Sequence, residues 1–284
     1  MPELPEVEVL VRKLGPQLKN KTIRAVRVRR PKVLAPTSAR QLAKALVGGR
    51  FLGVSRRGKY LLFKVQSGAQ LAPVLLVGHL GMTGRMFLQK AGSPLPKHAA
   101  VVLDLGRADF VFEDTRYFGR ITLDASAIEK LGPEPLGAEF TIHYFTQALK
   151  RSAQAVKVKL LDQSLVAGVG NIYASEALFR AGISPQLAAR RLNGRQIANL
   201  WRAIRETLAE AISWGSTLPL DLPGSRGQDR LFYFGSAADA GDSYTERLLV
   251  YDRAGQPCSQ CGAAIKRIVQ AARSTYYCPD CQRR

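Results

Sequence analysis

Pro2 and Glu3 stand side by side at the start of the chain, and together they can do covalent chemistry on a sugar. A small residue after the initiator methionine favours removal of that methionine, which leaves Pro2 with a free secondary amine. An α-amino group has a pKa of about 7.7–8.0, so a neutral, nucleophilic fraction exists near neutral pH. Attack of such an amine on a sugar C1′ forms an iminium directly, the covalent sink that a lysine reaches as a Schiff base. The neighbouring carboxyl of Glu3 can give a proton to the ring oxygen as the glycosidic bond opens.

A second chemical signal lies near the other end. Cys258, Cys261, Cys278 and Cys281 form C-x2-C-x16-C-x2-C, the spacing of two zinc knuckles facing each other across a hairpin. Four thiolate ligands leave no open coordination position, so the expected Zn2+ is structural and stabilises a module too small to fold on its own core. The segment between the pairs supplies two short strands and carries Lys266, Arg267 and Arg273. A basic hairpin tip suits a DNA groove, although zinc ribbons also bind proteins and Arg273 alone reads equally as a solvated arginine.

The middle of the chain holds further candidates. In "GVGNIYASEALF" the glycines permit close backbone approach, and Asn171 is placed to cap the following helix, whose amides would suit a phosphate. An ordinary helix connection is the alternative. Lys59 follows a glycine at the start of a strand; Met82 lies between glycines in "GHLGMTG"; Arg116 and Phe118 share the loop "FEDTRYFGR". An exposed methionine, a cation and an aromatic ring make a wedge for a base stack, unless Met82 fills a gap in the core.

Charge supports a polyanionic partner. The 284 residues carry 42 Lys+Arg against 22 Asp+Glu, a formal charge of +20, and phosphate neutralisation gives such a chain affinity for nucleic acid whatever the base sequence. A membrane surface is the lesser alternative, because no lipidation motif and no amphipathic basic anchor is present. The start of the chain lacks the basic and apolar regions of a signal peptide, so a cytoplasmic location and cysteines kept as thiols are expected.

The elements that must hold these residues are legible in outline. Val7, Leu10, Val11, Leu14 and Leu18 share one face of a helix over residues 5 to 18, with Pro5 in its first turn and Glu6 and Glu8 near its positive end. From about 22 to 125, short β-rich runs between Gly and Pro predict an antiparallel sandwich or barrel. The stretch "KLGPEPLG" marks a boundary, after which four helical runs follow, the last ending at Gly215. A Gly- and Pro-rich loop precedes the cysteine module. The fold class is therefore α+β and multi-domain.

The motifs "MPELPEVE", "RRGKYLL", "HLGMTG", "LGPEPL", "GVGNIYASEALF" and the cysteine module occur in an order and spacing that resemble the formamidopyrimidine-DNA glycosylase family across essentially the whole chain. The resemblance implies a β-sandwich with an N-terminal helix over 2–132, a helix-two-turn-helix domain over 133–247 and a zinc-finger hairpin over 248–284. It implies a monomeric bifunctional glycosylase and lyase that excises 8-oxoguanine and ring-opened purines from double-stranded DNA, with one Zn2+ as its cofactor. Pro2 would be the nucleophile and Glu3 the proton donor. Lys59 and Arg273 would assist the eliminations. Asn171 and His98 would contact DNA, Met82 would fill the vacated space, Arg116 would meet the orphaned base and Phe118 would wedge the stack. Glu6 and Glu176 would support the N-terminal site.

Two departures stand out. The family's usual "DPRRFG" is "DTRYFG" here, so Thr115 and Tyr117 are expected to alter opposite-base preference. The base-capping loop, expected around 217–235, fits the family pattern poorly. An endonuclease VIII-like enzyme for oxidised pyrimidines is the nearest rival, disfavoured by "MPELPE" and by Arg116 and Phe118. A non-catalytic zinc-ribbon DNA-binding protein is the other, disfavoured by Pro2, Glu3 and Lys59.

Overall fold

The computed structural model describes residues 2–67, 72–216 and 248–283. They fall into two compact units, one running to Glu129 and the other starting at Lys130. The region 217–235, where the capping loop is expected, lies outside the described residues.

The first unit opens with α1 (Leu4–Leu18), whose buried face is formed by Val7, Leu10, Val11, Leu14 and Leu18. Glu3 is its N-cap and forms a capping box with Glu6, while Pro5 sits in the first turn, where its missing N–H leaves no bond unmade. Two antiparallel four-stranded sheets follow. One is ordered β2 (Arg50–Arg57), β3 (Tyr60–Gln66), β4 (Val74–His79), β8 (Arg120–Thr122). The other is ordered β1 (Ala25–Val28), β6 (Ala99–Asp104), β7 (Ala108–Asp114), β5 (Gly84–Lys90).

One hydrophobic cluster joins α1 to the inner faces of both sheets. Phe63 of β3 meets Phe110 of β7 edge-on with ring centroids 5.5 Å apart, so the sandwich is packed through aromatic contacts. Apolar residues alternate with wetter ones along β3, as a half-buried strand requires. The β pattern of the sequence hides one helix, α2 (Ala39–Leu46). Its signal is local: Ser38 and Gln41 form a capping box just before Leu42, Ala45 and Leu46 turn inward. A short α3 (Ser126–Glu129) closes the unit.

The second unit contains α4 (Ile142–Lys150), α5 (Val156–Leu160), α6 (Asn171–Arg180) and α7 (Gly194–Ser216). Residues 172 to 179 of α6 are all buried, which makes it the central helix. The loop before it turns at Gly168, whose φ of 85° a side chain would disfavour. The cysteine segment packs here too, through a cluster of Phe179, Val250, Ile265 and Tyr276 with Cys258 and Cys278. Its hairpin is β9 (Lys266–Gln270) and β10 (Arg273–Tyr277). No helix among the described residues is long and apolar enough to cross a membrane.

Candidate functional site

The start of α1 is ordered and enclosed. Pro2 is buried and Glu3 is only 2% exposed. The carboxylate of Glu6 accepts the Glu3 amide at 2.8 Å, which fixes the backbone between Pro2 and the helix. The density of prolines and carboxylates at this terminus thus builds a helix start that does not fray.

Lys59 lies in the two-residue turn between β2 and β3. Gly58 has φ 56° while Lys59 keeps an ordinary φ, the pattern of a II′ hairpin turn. The lysine is 7% exposed, an uncommon position for an ammonium. Its turn is tied to α1 through Arg56, which donates to Glu8 at 2.8 Å and to the Gly58 carbonyl at 3.0 Å. Burial works against the charge on Glu8, but hydrogen bonds from Arg12 and Arg56 outweigh it and hold the carboxyl below its ordinary range.

His79 belongs to this neighbourhood, though the motif "GHLGMTG" alone does not single it out. It pairs with Tyr60 across β3 and β4, and the two rings meet at a tilt of 45° with centroids 4.8 Å apart. Its burial, with the positive charges of Lys59 and Arg120 nearby, lowers its pKa to about 4. The ring is therefore neutral at pH 7. Nδ1 accepts the Gly81 amide at 3.1 Å, which leaves the ring proton on Nε2.

Met82, Arg116 and Phe118 come together on two loops of the same unit. A Cβ on Gly81 would lie 2.6 Å from the Gly119 nitrogen and 2.7 Å from the Phe118 carbonyl carbon, so the loops touch backbone to backbone. Asp114, fully buried, clasps both: it accepts from Thr83 Oγ1 at 2.6 Å, from the Arg116 amide at 3.1 Å and from the Gly119 amide at 2.7 Å. Met82 is 40% and Phe118 54% exposed. The methionine in the core is instead Met86, against Gly78. The Arg116 guanidinium lies over the Phe118 ring at 4.9 Å, a cation–π contact that orders the exposed pair.

In the second unit Asn171 differs from its expected role. The N-cap of α6 is Gly170, and the Asn171 side chain does not cap. Its Oδ1 accepts from Lys157 Nζ at 2.8 Å, and its Nδ2 donates to the Ser274 carbonyl at 2.8 Å. The amide is drawn sideways because a buried ammonium and a strand carbonyl are better partners than a helix amide. Lys157, fully buried, also reaches Thr275 Oγ1 at 3.2 Å. This network fixes Asn171 to the strand that begins at exposed Arg273. Ala271 and Ala272 turn the hairpin tip, both with positive φ.

Glu176 is engaged by backbone amides of its own unit. Its carboxylate accepts the amides of Leu249, Val250 and Tyr251 at 2.8, 3.0 and 2.8 Å. It anchors the chain that enters the cysteine module. Burial is the largest influence on its acidity and raises its pKa.

The four cysteine sulfurs lie within 4.8 Å of one another. Cys258 and Cys281 are 3.8 Å apart, and Cys261 and Cys278 3.4 Å. Tetrahedral zinc with Zn–S bonds of about 2.3 Å needs sulfurs about 3.8 Å apart, so the cage fits the metal. Amides of Gln260 and Cys281 point at the sulfurs of Cys258 and Cys278, as thiolate ligands require. The module holds one structural zinc.

Family models match in sequence along the chain: the formamidopyrimidine-DNA glycosylase N-terminal domain over 1–121, the H2TH domain of the same enzymes over 131–219, and the zinc finger found in FPG and IleRS over 255–284. The chain belongs to the formamidopyrimidine-DNA glycosylase family. The formamidopyrimidine-DNA glycosylase of Thermus thermophilus is 42% identical, with 99% of this chain and 98% of that one covered. The Lactococcus lactis glycosylase bound to DNA containing N7-benzyl-Fapy-dG superposes with a TM-score of 0.85 at 33% identity, over the full length of both chains. A MutM structure with DNA containing carbocyclic 8-oxo-G gives 0.84 at 33%, again over both full lengths. Membership makes the chain a base-excision DNA glycosylase with AP lyase activity, and DNA its partner. That separates it from both the pyrimidine-specific and the non-catalytic readings.

Proposed function

We propose that this glycosylase removes oxidised purines, 8-oxoguanine and formamidopyrimidines, from double-stranded DNA through covalent catalysis by Pro2. The observation that carries this reading is the burial of Pro2 and Glu3 at a helix start locked by Glu6. An ordered amine beside a carboxyl is suited to attack at one carbon, where a frayed terminus is not.

With the initiator methionine removed, the Pro2 nitrogen lone pair bonds to C1′ as the bond from C1′ to the base breaks. Glu3 gives a proton to the ring oxygen, the sugar opens, and the iminium links Pro2 to the chain. Loss of a C2′ proton then expels the 3′ phosphate, and a second elimination expels the 5′ phosphate. Lys59, buried in its turn, carries protons in these eliminations. Arg273 and Asn171, joined through β10, hold phosphates flanking the lesion. Met82 fills the space left by the flipped base, Phe118 separates the stack, Arg116 meets the orphaned base, and His98 contacts the backbone. A damaged pair unstacks at lower cost, so flipping favours the lesion.

Glu6 supports this site directly, and Glu176 supports the DNA-binding segment by securing residues 249–251. The division of labour follows 2–132 for chemistry, 133–247 for phosphate binding and 248–284 for the zinc hairpin. The enzyme works as a monomer in the bacterial cytoplasm, where its charge of +20 keeps it on DNA.

Excision by Glu3→Gln tests the assignment. The variant is expected to bind 8-oxoguanine duplex and release no base. Undiminished release would contradict the role of Glu3.

A further inference from the structure

We propose that Arg30, Tyr117 and His98 form a binding station for a DNA backbone phosphate, with Tyr117 as the positioning residue that orders the two donors. The inference rests on the reading of Arg116 and Phe118 as DNA-facing, and it concerns a residue at which this chain departs from the family's usual pattern.

Tyr117 sits between those two residues with φ 54°, a left-handed conformation that side chains disfavour. The reversal sends its ring away from its exposed neighbours and against the edge of the hydrophobic cluster. There its hydroxyl lies 3.1 Å from Arg30 Nε and 3.3 Å from His98 Nδ1. The Arg30 guanidinium also lies 5.5 Å from the ring centroid.

Donor counting fixes the direction of the bond from Arg30. Arg30 Nε–H can only donate, so the phenol oxygen accepts from it. The phenol oxygen keeps a second lone pair and its own proton, so the same hydroxyl can hold Nδ1 of His98 with the ring in either tautomer. Arg30 is exposed, and its terminal nitrogens make no hydrogen bond or ion pair among the described residues. The nearest buried carboxylate of the loop, Asp114, is committed to Thr83, Arg116 and Gly119. The result is a guanidinium fork with open terminal nitrogens and an imidazole ring oriented by the same hydroxyl. A tetrahedral anion matches that set, and a loop carrying the wedge puts a DNA phosphate within reach.

The test measures affinity for a duplex containing a tetrahydrofuran abasic analogue across a range of KCl, for the wild type, Arg30→Gln, Arg30→Lys and Tyr117→Phe. Arg30→Gln is expected to flatten the slope of log K against log salt by about 0.9, the loss of one phosphate contact, while Arg30→Lys keeps the slope. Tyr117→Phe retains the ring and is expected to raise KM more than it lowers kcat. Its 15N spectrum should show the His98 ring resonances displaced from their wild-type positions, because the hydroxyl that orients the ring is gone. An unchanged slope in Arg30→Gln, or an unchanged His98 spectrum in Tyr117→Phe, would overturn the station while leaving the glycosylase reading intact. A wild type that fails to bind the duplex would overturn both.

Discussion

Glu8 and Arg56 meet at 2.8 Å, and through this ion pair the first helix holds the turn that carries Lys59. The pair is partly shielded, and Arg56 spends a second donor on the Gly58 carbonyl. Glu8 therefore acts on the site from a distance along the chain, by placing the hairpin relative to the helix that starts at Pro2.

Replacing Arg56 with Met should free the turn. A misplacement on the order of 1 Å at a reacting group can cost about 100-fold in rate. The expected outcome is a fall in AP-site cleavage of tenfold or more, with duplex affinity reduced far less. Single-turnover cleavage beside a binding titration checks this. Equal losses in both would assign Arg56 to DNA binding instead.

His79 gives the fold a defined acid sensitivity. Its native pKa is about 4, against an ordinary value near 6.5. Between those values the unfolded chain binds a proton that the native ring refuses, so stability rises with pH through that window and is lost on acidification. The full difference is about 3 kcal/mol. Thermal unfolding of His79→Gln should show a flatter dependence between pH 4 and 6.5 than the wild type. Parallel curves would mean that the ring takes its proton in the folded state.

Lys157 holds the side-chain amide of Asn171, for which a phosphate contact is proposed. Lys157→Met keeps the length of the side chain but leaves Asn171 Oδ1 and Thr275 without their donor. Loss of such bonds costs roughly 1–3 kcal/mol. Chemical denaturation should register that loss, and affinity for abasic-analogue duplex should fall about tenfold because Asn171 is no longer held. Unaltered affinity would remove Asn171 from the contact.

Zinc removal should act beyond the finger. The Ser274 carbonyl and the Thr275 hydroxyl complete the Asn171 and Lys157 network, so a disordered hairpin also loosens the start of α6. Chelation, or Cys258→Ser, is expected to abolish duplex binding and to lower the unfolding temperature. A metal-free protein that binds DNA normally would make the finger dispensable.

How much of this was legible beforehand differs by residue. The helix start at Pro2 and Glu3 and the cluster of four cysteines are readable because short-range spacing alone defines both. Met82 and Phe118 were readable as loop residues, but their meeting depends on the contact between Gly81 and Gly119, which no sequence period encodes. Asn171 was placed correctly at the start of a helix and wrongly as its cap, because its partners come from α5 and β10, far along the chain. Lys157 and His79 were not found. A lysine in "AVKVKLL" looks like any solvated charge until tertiary packing buries it, and α2 was hidden by the β-rich segments around it. Ser38 and Gln41 carried the available signal.

Borohydride trapping on duplex DNA with 8-oxoguanine opposite cytosine, with mass mapping of the adduct, tests the central claim most directly. The account predicts a covalent adduct on the nitrogen of Pro2, and weakened trapping in Pro2→Gly. An adduct mapped to a lysine, or none on this duplex alongside strong trapping on an oxidised pyrimidine, would contradict it.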